Sequence, residues 1–224
     1  MHGAHTRRAY NAVMRTRIKF CGLTRPGDVR LAVELGVDAI GLVFAPGSPR
    51  CLVLEHAVAL REAIPPMVAA VALFMDNPGS EVEAVVRRLR PDLLQFHGRE
   101  GDAFCRGFGL PFAKVIAMGG GAADAASARK RYPSASAFLL DGHAPGEPGG
   151  RGERFDWSLA PALGKPVVLA GGLSAENVGE AVRQVRPFAV DVSSGIESAP
   201  GVKDGGRMQK FVQEVRRADN GIAG

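Results

Sequence analysis

Residues 167–195, VVLAGGLSAENVGEAVRQVRPFAVDVSSG, contain two short apolar strands separated by a helical segment. The first strand runs into Gly171-Gly172 and the second into Ser194-Gly195. A strand, a helix and a second strand in this order form a parallel pair with a right-handed crossover. Because parallel strands have their carboxyl ends on the same side, the sequence predicts that both glycine-rich turns lie at one face of the sheet.

The same alternation extends over the whole chain, at a spacing of roughly 20 to 30 residues. Strands are predicted near Arg17–Cys21, Ala39–Phe44, Val68–Phe74, Leu93–His97, Ala113–Ala117, Ala137–Asp141, Val167–Ala170 and Phe188–Val192. Helices are predicted near Asp28–Leu35, Ser80–Leu89, Ala122–Arg131, Glu176–Val185 and Lys203–Arg217. Eight such units indicate an α/β fold, a (β/α)8 TIM barrel. An open doubly wound sheet fits the alternation too, but no Gly-x-Gly-x-x-Gly follows the first strand.

Length and composition favour one domain, because 224 residues of which 46% are hydrophobic can bury one large core. We expect a flexible N-terminal extension over residues 1–16 and a single barrel domain over residues 17–218. The extension has no continuous apolar stretch, which argues against a secretory signal and a membrane span.

The net charge and the cysteines exclude some classes of function. The net charge of +5 suits an anionic ligand, but scattered cations of an ordinary protein give the same value. With no long basic block, two tyrosines and one tryptophan, nucleic-acid binding is not expected. Three widely separated cysteines argue against a disulfide framework and indicate a reducing, cytoplasmic location.

Two strand ends carry groups that suit acid–base chemistry. Cys21 shares its strand face with Lys19, whose charge favours the thiolate, so Cys21 suits a general base, although an isolated cysteine is usually a small buried residue. Asp141 either caps the next turn or faces the barrel mouth as an acid, and the long Gly- and Pro-rich loop 142–154 favours the second role. Strands one and eight are neighbours in a closed barrel, which predicts a buried Lys19–Asp191 contact beneath the thiol.

Glycine-rich turns after the last two strands suit phosphate binding, because exposed backbone N–H groups attract anions. Gly171, Gly172, Ser194 and Gly195 form this prediction, and simple turn glycines are the alternative. Arg50 would pair with a ligand carboxylate or remain a solvated charge. His97 alone is more typical of a hydrogen-bonded structural histidine. No His, Asp and Glu residues occur at metal-ligand spacing, so we predict no metal site.

Together these motifs resemble the phosphoribosylanthranilate isomerase family, in family order from about Arg17 to Val215. The matching segments are Lys19–Thr24, Gly41–Phe44, Ser48–Arg50, Gln95–Gly98, Leu140–Gly142, Phe155–Trp157, Leu169–Leu173 and Asp191–Glu197.

The resemblance implies an Amadori rearrangement of N-(5-phosphoribosyl)anthranilate in tryptophan biosynthesis, with no cofactor or metal. Cys21 would be the base and Asp141 the acid that opens the ribose ring. Arg50 would hold the anthranilate end of the substrate, and His97 and Asp191 would bind the substrate as well. The binding partner would be this small phosphorylated molecule, and neither nucleic acid nor a membrane would be a partner. The protein would be a monomer or a homodimer.

One position departs from the family, which usually has Gly-Gly-Thr/Ser-Gly where residues 149–152 read Gly-Gly-Arg-Gly. Arg151 replaces a hydroxyl by a cation and bears on loop closure and substrate preference. Two other functions stay open. An imidazole-containing ribonucleotide isomerase would use carboxylates at both working strand ends, which Cys21 disfavours, and a catalytically idle binding barrel is disfavoured by the presence of Cys21 and Asp141.

Overall fold

The computed structural model describes residues 15–119, 123–144 and 154–222. Within these ranges eight parallel strands close into a barrel in chain order, with the last strand paired to the first. They are β1 (Arg17–Cys21), β2 (Ala39–Val43), β3 (Ala69–Phe74), β4 (Leu93–Phe96), β5 (Phe112–Ala117), β6 (Ala137–Asp141), β7 (Val167–Leu169) and β8 (Ala189–Val192). The predicted (β/α)8 barrel is confirmed, and each predicted strand end lies within one residue of the observed end.

Helices alternate with the strands and surround the barrel. They are α1 (Pro26–Glu34), α2 (Leu54–Arg61), α3 (Gly79–Leu89), α4 (Asp102–Arg106), α5 (Ala123–Arg131), α6 (Val178–Val185) and α7 (Gly205–Ile222). Short 3-10 turns span Trp157–Leu159 and Ser194–Ile196. The helix predicted from Lys203 begins later, at Gly205, because Lys203 belongs to a small antiparallel hairpin of β9 (Glu197–Ala199) and β10 (Val202–Lys203).

Proline and glycine mark the helix ends. Pro26 is at the first turn of α1, where a missing N–H breaks no intrahelical hydrogen bond. Gly36 follows that helix with φ +75°, a left-handed conformation that glycine adopts without strain. Helices α3 and α6 end at Arg90 and Arg186, each directly before a proline that cannot continue the helix.

The side chains of each strand alternate between the helices and the barrel interior. On the helix side, Phe20 packs edge-on against Phe211 of α7, with ring centroids 6.0 Å apart. Phe74 stacks between Phe44 and Phe96. Lys19 and Asp191 lie on the opposite, interior side of their strands and are both buried, which confirms the predicted inward face of β1.

Two residues of the predicted extension, Arg15 and Thr16, contact the barrel domain. The backbone N–H and hydroxyl of Thr16 both donate to the Asp219 carboxylate in α7, and Arg15 pairs with Asp38 at 2.6 Å. Residues 1–14 and most of the loop 142–154, including Arg151, lie outside the described residues, so the flexible extension and the effect of Arg151 stay predictions. No helix in the described ranges is long and apolar enough to span a membrane.

Candidate active site

One pocket at the carboxyl ends of the strands collects most of the predicted site residues. Cys21 and Asp141 are the last residues of β1 and β6, and Asp191 lies in β8. His97 directly follows β4, and Arg50 lies in the loop after β2. These five line the pocket together with apolar side chains, among them Val43, Leu73 and Met75. Residues up to 170 positions apart in sequence therefore meet at one mouth, as parallel strands require.

Cys21 is held in a tight, nearly water-free position, with a relative exposure of 5%. Gly41 on the neighbouring strand makes room for it: a Cβ at Gly41 would lie 2.7 Å from the Cys21 Sγ and 3.0 Å from the Lys19 Nζ. Any larger residue would displace the thiol or the ammonium. Gly41 is a site residue that the sequence analysis missed, because its role depends on the strand register of β1 and β2.

The predicted ion pair beneath the thiol is present. The Lys19 Nζ donates to the Asp191 Oδ1 at 2.9 Å, and Lys19 and Asp191 are adjacent across β1 and β8. Burial alone would lower the pKa of Lys19, but the attraction of Asp191 outweighs it and holds that pKa above its usual value. Lys19 is therefore a charged neighbour of the thiol.

The thiol itself is less acidic than the sequence analysis expected. Burial raises the pKa of Cys21, and the nearby Lys19 charge lowers it without cancelling the effect of burial. Lys19 favours the thiolate, as expected, but the desolvation of a buried anion is the larger effect, so the pKa of Cys21 is raised overall. The Lys19 charge partly offsets the free-energy cost of burying the Cys21 thiolate.

Replacing Lys19 with methionine should raise the pKa of the Cys21 thiol further, since it removes the neighbouring cation and leaves Asp191 without its partner. The measurement is the ultraviolet absorbance of the thiolate against pH, in a background where Cys51 and Cys105 are serine. A second variant, Lys19→Met with Asp191→Asn, controls for folding because it leaves no unpaired buried carboxylate. A thiol titration that is unchanged in both variants would contradict the electrostatic role of Lys19.

Asp141 lies beside two histidines at the other side of the pocket. The His143 Nδ1 is 3.4 Å from the Asp141 Oδ1, and the His143 Nε2 is 3.2 Å from the His97 Nε2. The two imidazole rings are tilted by 36°, with centroids 4.6 Å apart. The sequence analysis missed His143. It also found no metal-ligand spacing, whereas the barrel brings these three potential ligands together across 46 positions of sequence.

These neighbours determine the ionisation of the acid. Burial pushes the pKa of Asp141 upward, but the contacts with His143 and the electrostatic influence of the two histidines outweigh it and hold that pKa below its usual value. Burial lowers the pKa of His97 to about 4, so this ring is neutral at pH 7. In the unliganded protein Asp141 is a carboxylate in the pocket wall. A backbone hydrogen bond from His143 also lowers its pKa, so the turn-capping role and the position in the pocket occur together.

Arg50 already has a protein partner, which corrects the choice between a solvated charge and a free ligand-binding arginine. Its Nε and Nη2 donate to the two carboxylate oxygens of Glu197 at 2.8 and 2.6 Å, and both side chains are buried. The Lys203 Nζ donates to the same carboxylate at 2.7 Å and to the Ser193 carbonyl at 3.1 Å. Only the Nη1 side of Arg50 is left for a ligand. Pairing of Arg50 with a ligand carboxylate therefore stays a prediction, and it concerns the Nη1 side alone.

The two glycine-rich turns lie against each other beside this network. A Cβ at Gly195 would lie 1.9 Å from the Leu173 carbonyl oxygen, so the turn after β8 packs directly on the turn after β7. Gly171 and Gly172 have φ values of +80° and +60°, which favour glycine. The helix predicted from Glu176 begins at Val178, because the Asn177 side chain accepts from the Ser174 N–H and closes a turn before it.

A family model described as N-(5'phosphoribosyl)anthranilate (PRA) isomerase matches residues 18–214. The chain belongs to the phosphoribosylanthranilate isomerase family. It is 56% identical over 214 residues to the N-(5'-phosphoribosyl)anthranilate isomerase of Xanthomonas campestris pv. campestris strain 8004, covering 93% of this chain and 96% of the relative. As a member of this family, the chain is an isomerase.

Solved structures of phosphoribosylanthranilate isomerases agree with this assignment. The enzyme of Thermus thermophilus superposes with a TM-score of 0.81 at 38% identity, covering 90% of this chain and 99% of that one. A phosphoribosylanthranilate isomerase in complex with reduced 1-(o-carboxyphenylamino)-1-deoxyribulose 5-phosphate superposes with a TM-score of 0.76 at 33% identity, covering 90% and 99%.

Proposed function

We propose that this isomerase converts N-(5'-phosphoribosyl)anthranilate into 1-(2-carboxyphenylamino)-1-deoxyribulose 5-phosphate, a step of tryptophan biosynthesis, with Cys21 as base and Asp141 as acid. The observation that carries the proposal is the placement of a thiol and a carboxylate on the walls of one pocket that also contains Arg50. A solved relative at 33% identity holds the reduced form of this product, which supports the choice of substrate.

The pocket offers a complementary surface to each part of that molecule. Val43, Leu73 and Met75 provide an apolar wall suited to the anthranilate ring. The Nη1 side of Arg50 suits the ring carboxylate, because guanidinium groups pair strongly with carboxylates. The turns at Gly171-Gly172 and Ser194-Gly195 suit the phosphate, and the His97 and Asp191 side chains suit the ribose between them.

The proposed reaction opens the ribose ring and moves protons within the substrate. Protonated Asp141 gives its proton to the ribose ring oxygen, the bond from that oxygen to C1 breaks, and a Schiff base forms on the anthranilate nitrogen. The Cys21 thiolate then removes the proton from C2, which gives an enolamine. Loss of the proton from its C2 hydroxyl and gain of a proton at C1 complete the ketone. Substrate and product are isomers, so the step consumes no oxidant or reductant.

A turnover assay on purified full-length protein tests the function. We expect the substrate to disappear with formation of an isomer of equal mass, separable by chromatography and reducible by borohydride at its new ketone. An idle binding barrel would give no turnover. An imidazole-containing ribonucleotide isomerase would instead act on that substrate class, so the two substrates are assayed in parallel, and inactivity on phosphoribosylanthranilate would contradict the proposal.

Replacing Gly172 with valine should raise KM for the phosphorylated substrate by roughly 10-fold or more. A left-handed φ costs an L-residue about 1–2 kcal/mol, and more when it is β-branched, so the turn should leave the conformation that accepts the phosphate. Gly172→Asn is the matched control, because asparagine tolerates this conformation. The measurement is KM together with inhibition by inorganic phosphate, and equal values in both variants would count against the phosphate turn.

The proposal extends to the setting of the enzyme. All three cysteines are unpaired, including Cys51 at the surface, which fits the reducing cytoplasm. We expect the substrate to be the main partner of a monomer or homodimer.

A further inference from the structure

We propose that His97, His143 and Asp141 form a site for one divalent transition-metal ion, with Zn²⁺ as the best fit, at the acid side of the pocket. One nitrogen from each imidazole and one carboxylate oxygen lie within 4.8 Å of one another. Two histidines and a carboxylate are a ligand set that suits Zn²⁺ and its neighbours in the first transition row, and it leaves a fourth position open.

The distances within the cluster are close to those of a metal site. Zinc bonds to nitrogen and oxygen ligands are about 2.0–2.2 Å long, so two ligands of one tetrahedral ion lie about 3.3 Å apart. The His97 Nε2 and His143 Nε2 are already 3.2 Å apart. The three ligand atoms lie within 4.8 Å of one another, so the Asp141 oxygen has to approach the two nitrogens by at most about 1.5 Å to reach the same spacing.

The buried charges around the cluster do not oppose a cation. His143 is 4% exposed, and its Nδ1 lies 3.4 Å from the Asp141 Oδ1, so its Nε2 is the nitrogen that remains for a metal. Two lysines face this part of the barrel interior, but each has its own buried carboxylate partner. Lys19 pairs with Asp191 and Lys114 pairs with Glu100, both at 2.9 Å, so neither adds an uncompensated positive charge.

A bound ion would hold Asp141 as a ligand and block its protonation. If Asp141 is the acid of the proposed function, on which this consequence rests, Zn²⁺ inhibits turnover and competes with the phosphorylated substrate. Binding of the metal itself does not depend on that function, because it requires only the three side chains.

Calorimetric titration of metal-free, full-length protein with Zn²⁺ tests the site in the absence of substrate. We expect one Zn²⁺ per chain in the wild type. His97→Asn and His143→Asn should each weaken binding by at least ~100-fold, since removing even an outer partner of a ligand typically costs roughly 10–100-fold. The matched control replaces His2, His5 and His56, the remaining histidines of the chain, with asparagine and should bind as the wild type does.

Co²⁺ absorbance supplies a second readout, because a four-coordinate ion with two imidazoles absorbs more strongly in the visible range than the hydrated ion. Thermal melting without metal shows that each variant is folded. Wild-type affinity in both single variants, or loss of binding in the triple control, would overturn the inference. So would a requirement for Cys21 in place of the histidines. An inactive wild type that still binds one Zn²⁺ would contradict the proposed function and leave the metal site intact.

Discussion

Cys21→Ser should lower the turnover of the isomerase by at least ~100-fold, within the range that removal of a general base usually produces. A serine hydroxyl ionises far less readily than a thiol, and none of the histidines in the described part of the chain hydrogen-bonds to Cys21 to activate a hydroxyl in its place. Serine is also smaller than cysteine, so it fits the space beside Gly41 where a larger residue would not. The binding of a product analogue should therefore stay near normal while kcat falls.

The matched control is the same substitution at Cys51, which is exposed and outside the pocket. Burial raises the pKa of Cys105 to about 12, so this third thiol cannot supply a base at neutral pH. Full turnover in Cys21→Ser would remove Cys21 from the mechanism. A parallel loss in Cys51→Ser would point to a general effect of the substitution on the fold.

Most of the fold could be predicted because parallel strands and their turns leave strong local signals. The apolar runs set the strands, and glycine and proline set the helix ends. The Lys19–Asp191 pair was predictable for the same reason. It follows from which face of β1 is inward and from the closure of the barrel between β1 and β8, and both depend on strand alternation alone.

The parts that could not be predicted depend on contacts between loops. Glu197 holds Arg50 across 147 residues, and Lys203 ties that pair to Ser193 beside the thiol. Nothing in the local sequence of Arg50 indicates this partner. The direction of the Cys21 pKa shift could not be predicted for a similar reason. It depends on the balance between burial and the charges of Lys19, Asp191 and Lys203, and a strand pattern does not give the size of each effect.

The ionisation of the acid–base pair has a consequence for the pH profile. Burial raises the pKa of Cys21, whereas the histidines hold the pKa of Asp141 below its usual value despite its own burial. The resting pair is therefore a thiol and a carboxylate, while the proposed reaction needs a thiolate and a protonated acid. Both pairs carry the same number of protons. Between the two pKa values, the small fraction of enzyme molecules that have a Cys21 thiolate and a protonated Asp141 does not change with pH. We therefore expect kcat/KM to be independent of pH across neutrality.

Outside that plateau each group limits the rate in a known direction. As pH falls below the pKa of Asp141, the acid is fully protonated but the thiolate becomes rarer, and kcat/KM decreases. As pH rises above the pKa of Cys21, the thiolate is complete but protonated Asp141 becomes rarer, and kcat/KM decreases again. The profile is measured with a chelator present, so that metal binding at the histidines does not contribute.

Asp141→Asn should lower turnover by at least ~100-fold and change the shape of this profile as well. Asparagine keeps the size of the side chain but has no proton to donate to the ribose oxygen. Only Cys21 then titrates, so the residual rate should rise with pH through neutrality and level off above the thiol pKa. A loss of rate with the flat profile preserved would mean that Asp141 supports the pocket without acting as the acid, because a structural role leaves the two ionisations unchanged.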